Sequence, residues 1–307
     1  VPKVQCFETT TEGTSSCSDP ALVDGITNLC GDGGCFDRAR FEIDSQNNPP
    51  DTLYSVQITT DSTWTTWSYV DGSTFLLKSS ASHNINDYLT KVAWEGVSSK
   101  FNVFGLNQNI QYYIRISALH GNFTESEPGP VATATTSSPQ IIFDIDIADA
   151  GGAASETTSP YNISLGQMQY PLVTQASNLI WLDIGTNMTK GVKVYGKGLY
   201  GGLFSSGSLY TLNSANADLS LTEGFGLQGN SQTQVNLGPI SFESNFGNSG
   251  NIVGEVDNLN LIAIANTSNN SVYKGRVSLF VKARPSEATP AASDFQEIIT
   301  LVVGGEL

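Results

Sequence analysis

The feature that most constrains the fold is a succession of short segments in which apolar and polar residues alternate. Such segments recur at short intervals along the chain, most clearly at residues 54–58 and 112–118. A period of two places the apolar side chains on one face of a β-strand. No long block of helix-favouring residues interrupts the series. The sequence therefore predicts an all-β fold.

The predicted strands fall into two groups, which indicates two domains. The chain has 307 residues, only 14% of them charged, and 30 glycines that suit frequent turns. We expect a cysteine-braced segment over residues 1–35, a β-sandwich over 36–136, a linker at 137–139, and a jelly-roll-like sandwich over 140–307. The expected strands include residues 89–94, 162–165 and 295–303.

A tyrosine motif in the first group resembles the E–F corner and F strand of a fibronectin type III domain. Leu106 is followed six residues later by Tyr112, and then by Ile114 and Ile116 at alternating positions. The resemblance implies a type III-like sandwich, in which the Tyr112 hydroxyl ties down the turn before its strand. Gln108 stands where the family usually has proline.

The second group resembles bacterial surface sandwiches of the TasA/camelysin-like, spore-coat U-like and WxL types. The whole arrangement is also similar to predicted surface proteins of uncultured bacteria. The likeness rests on segments 143–147, 161–166, 180–187, 191–195 and 289–302. It implies a subunit of an extracellular filament or surface layer.

All four cysteines lie in the first 35 residues, at Cys6, Cys17, Cys30 and Cys35. An even, clustered set indicates two disulfides, and the pairs closest in sequence are Cys30–Cys35 and Cys6–Cys17, although four cysteines allow three pairings. Zinc is the alternative, but no C-x-x-C pair is present. Disulfides indicate an oxidising compartment outside the cytoplasm.

Charge and hydropathy narrow the set of partners. The net charge of −15 disfavours nucleic acid, whose phosphates an acidic surface repels. No apolar run is long enough to span a membrane. The chain opens at Val1 without a signal peptide, and we expect an extracellular or cell-surface protein whose targeting segment has been removed.

Two features suggest contact with sugars. Trp67 and Tyr69 would share one face of a strand that also contains Trp64, and could form an aromatic patch for glycans, with one of the two tryptophans in the core. Glycosylation sequons of the N-x-S/T type occur at five positions: Asn122, Asn162, Asn187, Asn266 and Asn269.

No catalytic constellation emerges, and we expect the protein not to be an enzyme. His83 and His120 lack a metal-type motif, and we interpret both as loop residues. Asp144 and Asp146 share a strand face, with Asp149 in the following loop. They form either a solvated outer face or a calcium site, and calcium is the single cofactor that the sequence suggests.

The functional expectation is a structural subunit of an extracellular filament, pilus-like fibre or surface layer that assembles with copies of itself. The copies would associate end to end, by strand addition or by edge contacts. For strand addition, residues 1–11 are the favoured donor, because residues 298–303 suit a central strand better. The alternative is a surface adhesin or glycan-binding module. A third class is an accessory domain of a secreted hydrolase.

Overall fold

The computed structural model describes residues 1–9, 30–96, 101–119, 121, 123–151, 156–247 and 249–305, and it confirms the all-β prediction. The chain divides into two compact units, Val1–Pro139 and Gln140–Leu307. Lys91–Glu95 (α1) is the single α-helix in the described parts of the chain, and no described helix is long and apolar enough to cross a membrane.

Nine strands build the first unit. They are β1 Lys3–Glu8, β2 Arg38–Asp44, β3 Leu53–Thr59, β4 Ser68–Val70, β5 Leu77–Ser79, β6 Leu89–Thr90, β7 Val103–Phe104, β8 Gln111–Leu119 and β9 Ala132–Thr135. Two short 3₁₀ turns, Ser80–Ser82 and Ile85–Asp87, follow β5.

These strands form two sheets around one core. One sheet has the order β1-β2-β7, and the other has the order β5-β4-β3-β8-β9, with β6 paired to β3. Phe41 and Ile43 of the first sheet lie in one apolar cluster with Val56, Ile114 and Ile116 of the second. All five are almost fully buried, which is the outcome expected for the apolar faces of alternating strands.

The N-terminal segment differs from the expectation. Strand β1 pairs antiparallel with β2, from Lys3 opposite Asp44 to Glu8 opposite Arg40, and Phe7 joins the core. Residues 3–8 therefore belong to the first sandwich, and they already have a partner strand within their own chain. The expectation of an unpaired donor arm over residues 1–11 is wrong for residues 3–8; residues 10–29 lie outside the described part.

Two further details correct the predicted strands. Residues 91–94, expected to continue a strand, form α1, whose first turn is capped by the Thr90 hydroxyl accepting from Ala93 N–H at 3.3 Å. The helix buries Trp94, which is 1% exposed and supplies the core tryptophan. Trp64 has a φ of 56° and lies in a turn, outside strand β4.

Fourteen strands build the second unit. They are β10 Ile141–Ala148, β11 Thr174–Gln175, β12 Leu179–Thr186, β13 Val192–Gly198, β14 Gly202–Ser205, β15 Tyr210–Asn213, β16 Ala217–Asp218, β17 Gly224–Thr233, β18 Asn236–Leu237, β19 Ser241–Phe242, β20 Ile252–Val253, β21 Ile262–Asn266, β22 Val272–Arg284 and β23 Ile299–Gly305.

Two main sheets enclose the second core. One has the order β10-β12-β22-β11, with β17 and β18 also paired to β22; the other has the order β19-β21-β13-β23. Hairpins β14-β15 and β16-β20 complete the unit. Leu182 and Leu279 from the first sheet and Val194 and Ile264 from the second lie in one cluster of buried apolar side chains.

The second unit corrects two expectations. Residues 162–165 alternate like a strand but pair with no strand in the described structure. Strand β23, expected to be central, is an edge strand whose one strand partner among the described residues is β13. Strand β10 is likewise an edge, paired to β12. Residues 162–165 and the edge strands β10 and β23 all border one cleft, which is the principal candidate site.

Candidate functional site

A cleft of about 1170 Å³ opens in the second unit between the edge strands β10 and β23. Its walls include Ile145 and Ile147 of β10 and Ile299 and Leu301 of β23. The two edges come close together at one end. Gly305 of β23 lies beside Ile141 of β10, and a Cβ atom added to Gly305 would be 3.1 Å from Ile141 Cδ1. The cleft is therefore the open side of a sandwich whose two sheets do not join.

The backbone groups of β10 that face this cleft can be assigned from its ladder. Ile147 N–H donates to the Thr157 hydroxyl at 3.1 Å, and that hydroxyl donates back to Ile147 C=O at 3.2 Å. Alternate residues of an antiparallel strand direct their N–H and C=O to the same side. Phe143 and Ile145 therefore direct theirs away from β12, to the free edge.

The same reasoning assigns the edge of β23. Leu199 N–H donates to Ile298 C=O at 2.9 Å, so the even-numbered residues of this strand bond to β13 and its extension. Ile299, Leu301 and Val303 direct their N–H and C=O outward. Each edge thus presents a short row of backbone donors and acceptors beside apolar side chains.

Residues 161–170, here termed the covering segment, lie across this cleft. Ile163, Leu165 and Met168 pack against the core, whereas Tyr161 and Tyr170 are 43% and 44% exposed. No hydrogen bond joins the covering segment to the backbone of β10 or β23, both of which are described in full. The segment is therefore held by apolar side chains and by the Arg284 guanidinium, 5.8 Å from the Tyr170 ring centre, without backbone hydrogen bonds to either neighbouring strand.

Glutamate and aspartate side chains secure the C-terminal border of the cleft. Glu297 accepts hydrogen bonds from the N–H groups of Leu199 at 2.8 Å and Gly202 at 2.6 Å. Asp294 accepts from the Ser205 hydroxyl at 2.6 Å and from Gly207 N–H at 2.8 Å. These bonds hold the segment leading into β23 in place, whereas the covering segment has no backbone hydrogen bonds to the strands beside it.

The carboxylates predicted for calcium are only partly brought together. Asp144, Asp146 and Glu156 place one oxygen each within 4.8 Å of one another. Asp149 instead accepts from Gly151 N–H at 2.9 Å in its own turn, and belongs to no such group. Glu156 lies ten residues beyond Asp146 in the sequence. It was not predicted because nothing in the sequence pattern shows that the chain brings it back beside Asp146.

A cation of the protein itself partly neutralises this acidic group. Arg276 Nη2 lies 3.2 Å from Asp146, and its Nε lies 3.2 Å from Asp183. Strand pairing explains why these charged side chains are neighbours. Asp144 on β10 is opposite Asp183 on β12, and Asp183 is opposite Arg276 on β22. Burial raises the pKa of Asp183, against the opposing effect of Arg276.

In the first unit, the aromatic patch contains different residues from those expected. The Arg115 guanidinium lies 3.9 Å from the ring centre of Trp64 and 5.9 Å from that of Trp67. Both tryptophans thus flank one cation, Trp67 is 37% exposed, and neither is in the core. A strand over residues 64–69 would place Trp64 and Trp67 on opposite faces; the turn held by Asp61 brings them together instead, and a period-two pattern does not reveal that turn.

Tyr69 is not part of that patch. Its ring stacks on His83 with 3.6 Å between ring centres, and His83 Nδ1 lies 3.1 Å from Asp87. Asp87 also accepts from Lys78 Nζ at 2.8 Å. His83 lies in a loop between the two 3₁₀ turns, as expected, and its ring is part of a largely buried polar cluster, where burial lowers its pKa. His120 lies outside the described residues.

The predicted tyrosine corner has the expected hydrogen bond. Asn107 N–H donates to the Tyr112 hydroxyl at 2.8 Å, and Tyr112 and Leu106 are both buried. The Thr136 hydroxyl donates to Asn107 C=O at 2.6 Å, which fixes the same turn from the other side.

The cysteines and sequons are placed as follows. Cys30 and Cys35 form a disulfide, and Cys6 is also disulfide-bonded; Cys17 lies outside the described residues, so the Cys6–Cys17 pairing stays a prediction. Asn187 is 1% exposed and accepts from Gln140 N–H at 2.7 Å, which contradicts its use as a glycan acceptor. Asn162 and Asn269 are exposed, Asn266 is half-buried, and Asn122 lies outside the described residues.

Comparisons with known proteins give little. No protein-family model matches the chain, and no curated protein matches it. Among solved structures, it is similar to an α-L-rhamnosidase from Dictyoglumus thermophilum, with 12% identity and a TM-score of 0.20. The match covers 88% of this chain and 26% of the rhamnosidase chain. A likeness this weak carries no argument about function.

Proposed function

We propose that the protein is a structural subunit of an extracellular filament, pilus-like fibre or surface layer, in which copies associate through the edges of β10 and β23. The observation that carries the proposal is the cleft between two unpaired edges, covered by a segment with no backbone bonds to either. Unpaired edges are templates for another strand. Added strands gain backbone hydrogen bonds and side-chain pockets together.

The association need not close on itself. A contact between two different surfaces of identical subunits yields a filament whenever its rotation does not close a ring. In such a contact, the cleft of one subunit binds a different surface of the next. The disulfide at Cys30–Cys35 suits the oxidising environment in which such assemblies occur.

Negative-stain electron microscopy of the purified protein over a range of concentrations tests the proposal. We expect fibres or sheets whose formation depends on concentration. Raising the ionic strength should favour them, because subunits of net charge −15 repel one another at low salt. Monodisperse particles of single-chain size under all these conditions would refute assembly.

We also propose that the first unit is a fibronectin type III-like sandwich, and that the second is related to the bacterial surface sandwiches named above. The support for the first is the order β1-β2-β7 opposite β4-β3-β8-β9, together with the Tyr112 corner. The support for the second is a two-sheet sandwich with free edges. Neither relationship fixes the function by itself.

A second candidate function is that of a glycan-binding adhesin, favoured by the pairing of Trp64 and Trp67 around Arg115. Aromatic faces of this kind stack on sugar rings. Glycan-array binding by the monomer that is lost in Trp67→Ala and retained in Tyr69→Phe would support this function. If neither the unaltered protein nor Tyr69→Phe binds the array, and fibres are seen by microscopy, the structural-subunit function is favoured.

A further inference from the structure

A lysine is buried in the second unit beneath the loop that follows β19. Lys282 on β22 is 5% exposed. Its ammonium donates to Gln228 Oε1 at 2.6 Å and to the C=O of Gly250 at 2.6 Å. Both partners are neutral, and the Phe280 ring centre lies 5.4 Å from the ammonium.

The Lys282 ammonium has no counter-charge among the described residues. Buried charges in proteins are normally paired with an opposite charge, because an isolated ion loses its hydration without compensation. No carboxylate of the described residues lies within ion-pair distance of Lys282, and burial alone lowers its pKa. The chain has 29 acidic residues for 14 basic ones, so an unpaired lysine is not explained by scarcity of acids.

Lys282 borders a polar cleft of about 630 Å³, which is distinct from the cleft between β10 and β23. Amide and hydroxyl side chains line most of it, and Phe242 and Phe280 contribute aromatic surface. The polar set is Gln228, Asn230, Ser231, Gln232, Ser241 and Ser249. Asn230 and Ser231 are held in place by hydrogen bonds of 3.1 Å and 2.7 Å to the Ser278 hydroxyl.

We propose that this cleft binds an acidic saccharide, whose carboxylate pairs with the Lys282 ammonium while its hydroxyls bond to the surrounding amides and hydroxyls. One cation among neutral hydrogen-bonding groups matches a uronic acid ring, which has one carboxylate among several hydroxyls. An acidic peptide would bring several carboxylates to a protein of net charge −15. A phosphate or sulfate group is better matched by the planar fork of arginine than by one lysine.

Isothermal titration calorimetry with trigalacturonate tests the site, using the full chain. We expect saturable binding of trigalacturonate, and binding of neutral galactotriose that is about ten- to hundredfold weaker, since a charge-assisted hydrogen bond is lost. Lys282→Met should weaken trigalacturonate binding by a similar factor. The matched control is Lys193→Met, an exposed lysine on β13, which should bind as the unaltered protein does.

A second variant covers the case in which Lys282→Met does not fold. Asn230→Asp places a negative charge at an exposed position of the cleft and should weaken trigalacturonate binding without unfolding the sandwich. Equal affinity for trigalacturonate and galactotriose would overturn the role of Lys282. Equal or tighter binding of triglutamate would assign the cleft to acidic peptides, and no binding of any of the three probes would overturn the site. None of these outcomes bears on the assembly proposal, because microscopy needs no saccharide.

Discussion

The backbone N–H of Asn107 donates a hydrogen bond to the buried hydroxyl of Tyr112 at 2.8 Å. This bond fixes the turn that leads into β8, the strand on which β3 and β9 both pair. A turn in this position determines the register of the longest strand of the first unit. The contact is therefore structural, and its removal should be visible as a loss of stability.

We expect Tyr112→Phe to lower the free energy of unfolding by about 1 kcal/mol, the usual net contribution of one hydrogen bond. Urea unfolding followed by fluorescence measures it. Tyr113→Phe is the matched control, since that neighbouring hydroxyl bonds only to the exposed Gln111 side chain. Equal stability of Tyr112→Phe and the unaltered protein would show that the corner does not hold the turn.

The acidic group on β10 gives a prediction about calcium ligands. If calcium binds here, it stabilises the folded state, by about 2.7 kcal/mol at a hundredfold excess over Kd. The geometry predicts that Glu156→Gln abolishes the rise in melting temperature and that Asp149→Asn preserves it. Differential scanning calorimetry with calcium and with chelator measures both. If Asp149→Asn abolishes the rise in melting temperature and Glu156→Gln preserves it, Asp149 is a ligand after all. If calcium does not raise the melting temperature of the unaltered protein, calcium is excluded.

Acid should weaken the border of the main cleft through Asp294. Hydrogen bonds from the Ser205 hydroxyl, from Gly207 N–H and from the Ser206 hydroxyl lower the pKa of Asp294 from 3.8 to about 2. Because the folded-state pKa lies below the unfolded one, the carboxylate stabilises the fold above about pH 4, and this stabilisation is lost as the pH falls toward 2.

We therefore expect the free energy of unfolding to fall less between about pH 4 and pH 2 in Asp294→Asn than in the unaltered protein. Asp51→Asn, at an exposed turn of the first unit, is the control and should keep the original slope. Urea titrations at fixed pH values measure the slope. An unchanged slope in Asp294→Asn would mean that these hydrogen bonds do not persist in solution.

Loosening the covering segment should promote assembly although it destabilises the single chain. Leu165→Ala with Met168→Ala removes two of its three core contacts. A loss of about 2 kcal/mol in docking would raise the undocked population about thirtyfold. Gln167→Ala with Gln169→Ala alters exposed positions of the same segment and serves as control. Light scattering should show faster assembly for the first pair alone; slower assembly would indicate that the segment itself forms the contact.

Sequence patterns predicted the strands that have one apolar face and one polar face. Alternation at β3 and β8 was enough, because their apolar residues all enter one core. The pattern failed at residues 162–165, which alternate equally well but have no strand beside them. Alternation reports a buried face; it does not report whether a backbone partner exists.

The sites were harder to predict because they bring together residues that are far apart in the sequence. The pairing of β1 with β2 joins segments about thirty residues apart in the sequence, which no local pattern encodes. Glu156 replaces Asp149 beside Asp146 for the same reason. Trp64 joins Trp67 because Asp61 organises the turn that contains Trp64, and the counter-charge missing at Lys282 can be recognised only in three dimensions.

Hydrogen exchange at the β10 and β23 edges tests the central claim most directly. In the single chain, the amides of Phe143, Ile145 and Leu301 should exchange fast, because they face a segment with which they form no hydrogen bonds. In the assembled form, mass spectrometry with fragmentation should show these amides strongly protected, while those of Lys193 and Ala263 in the central strands of the second sheet stay unchanged. Edge amides that exchange at the same rate in single chains and in assemblies would contradict association through this cleft.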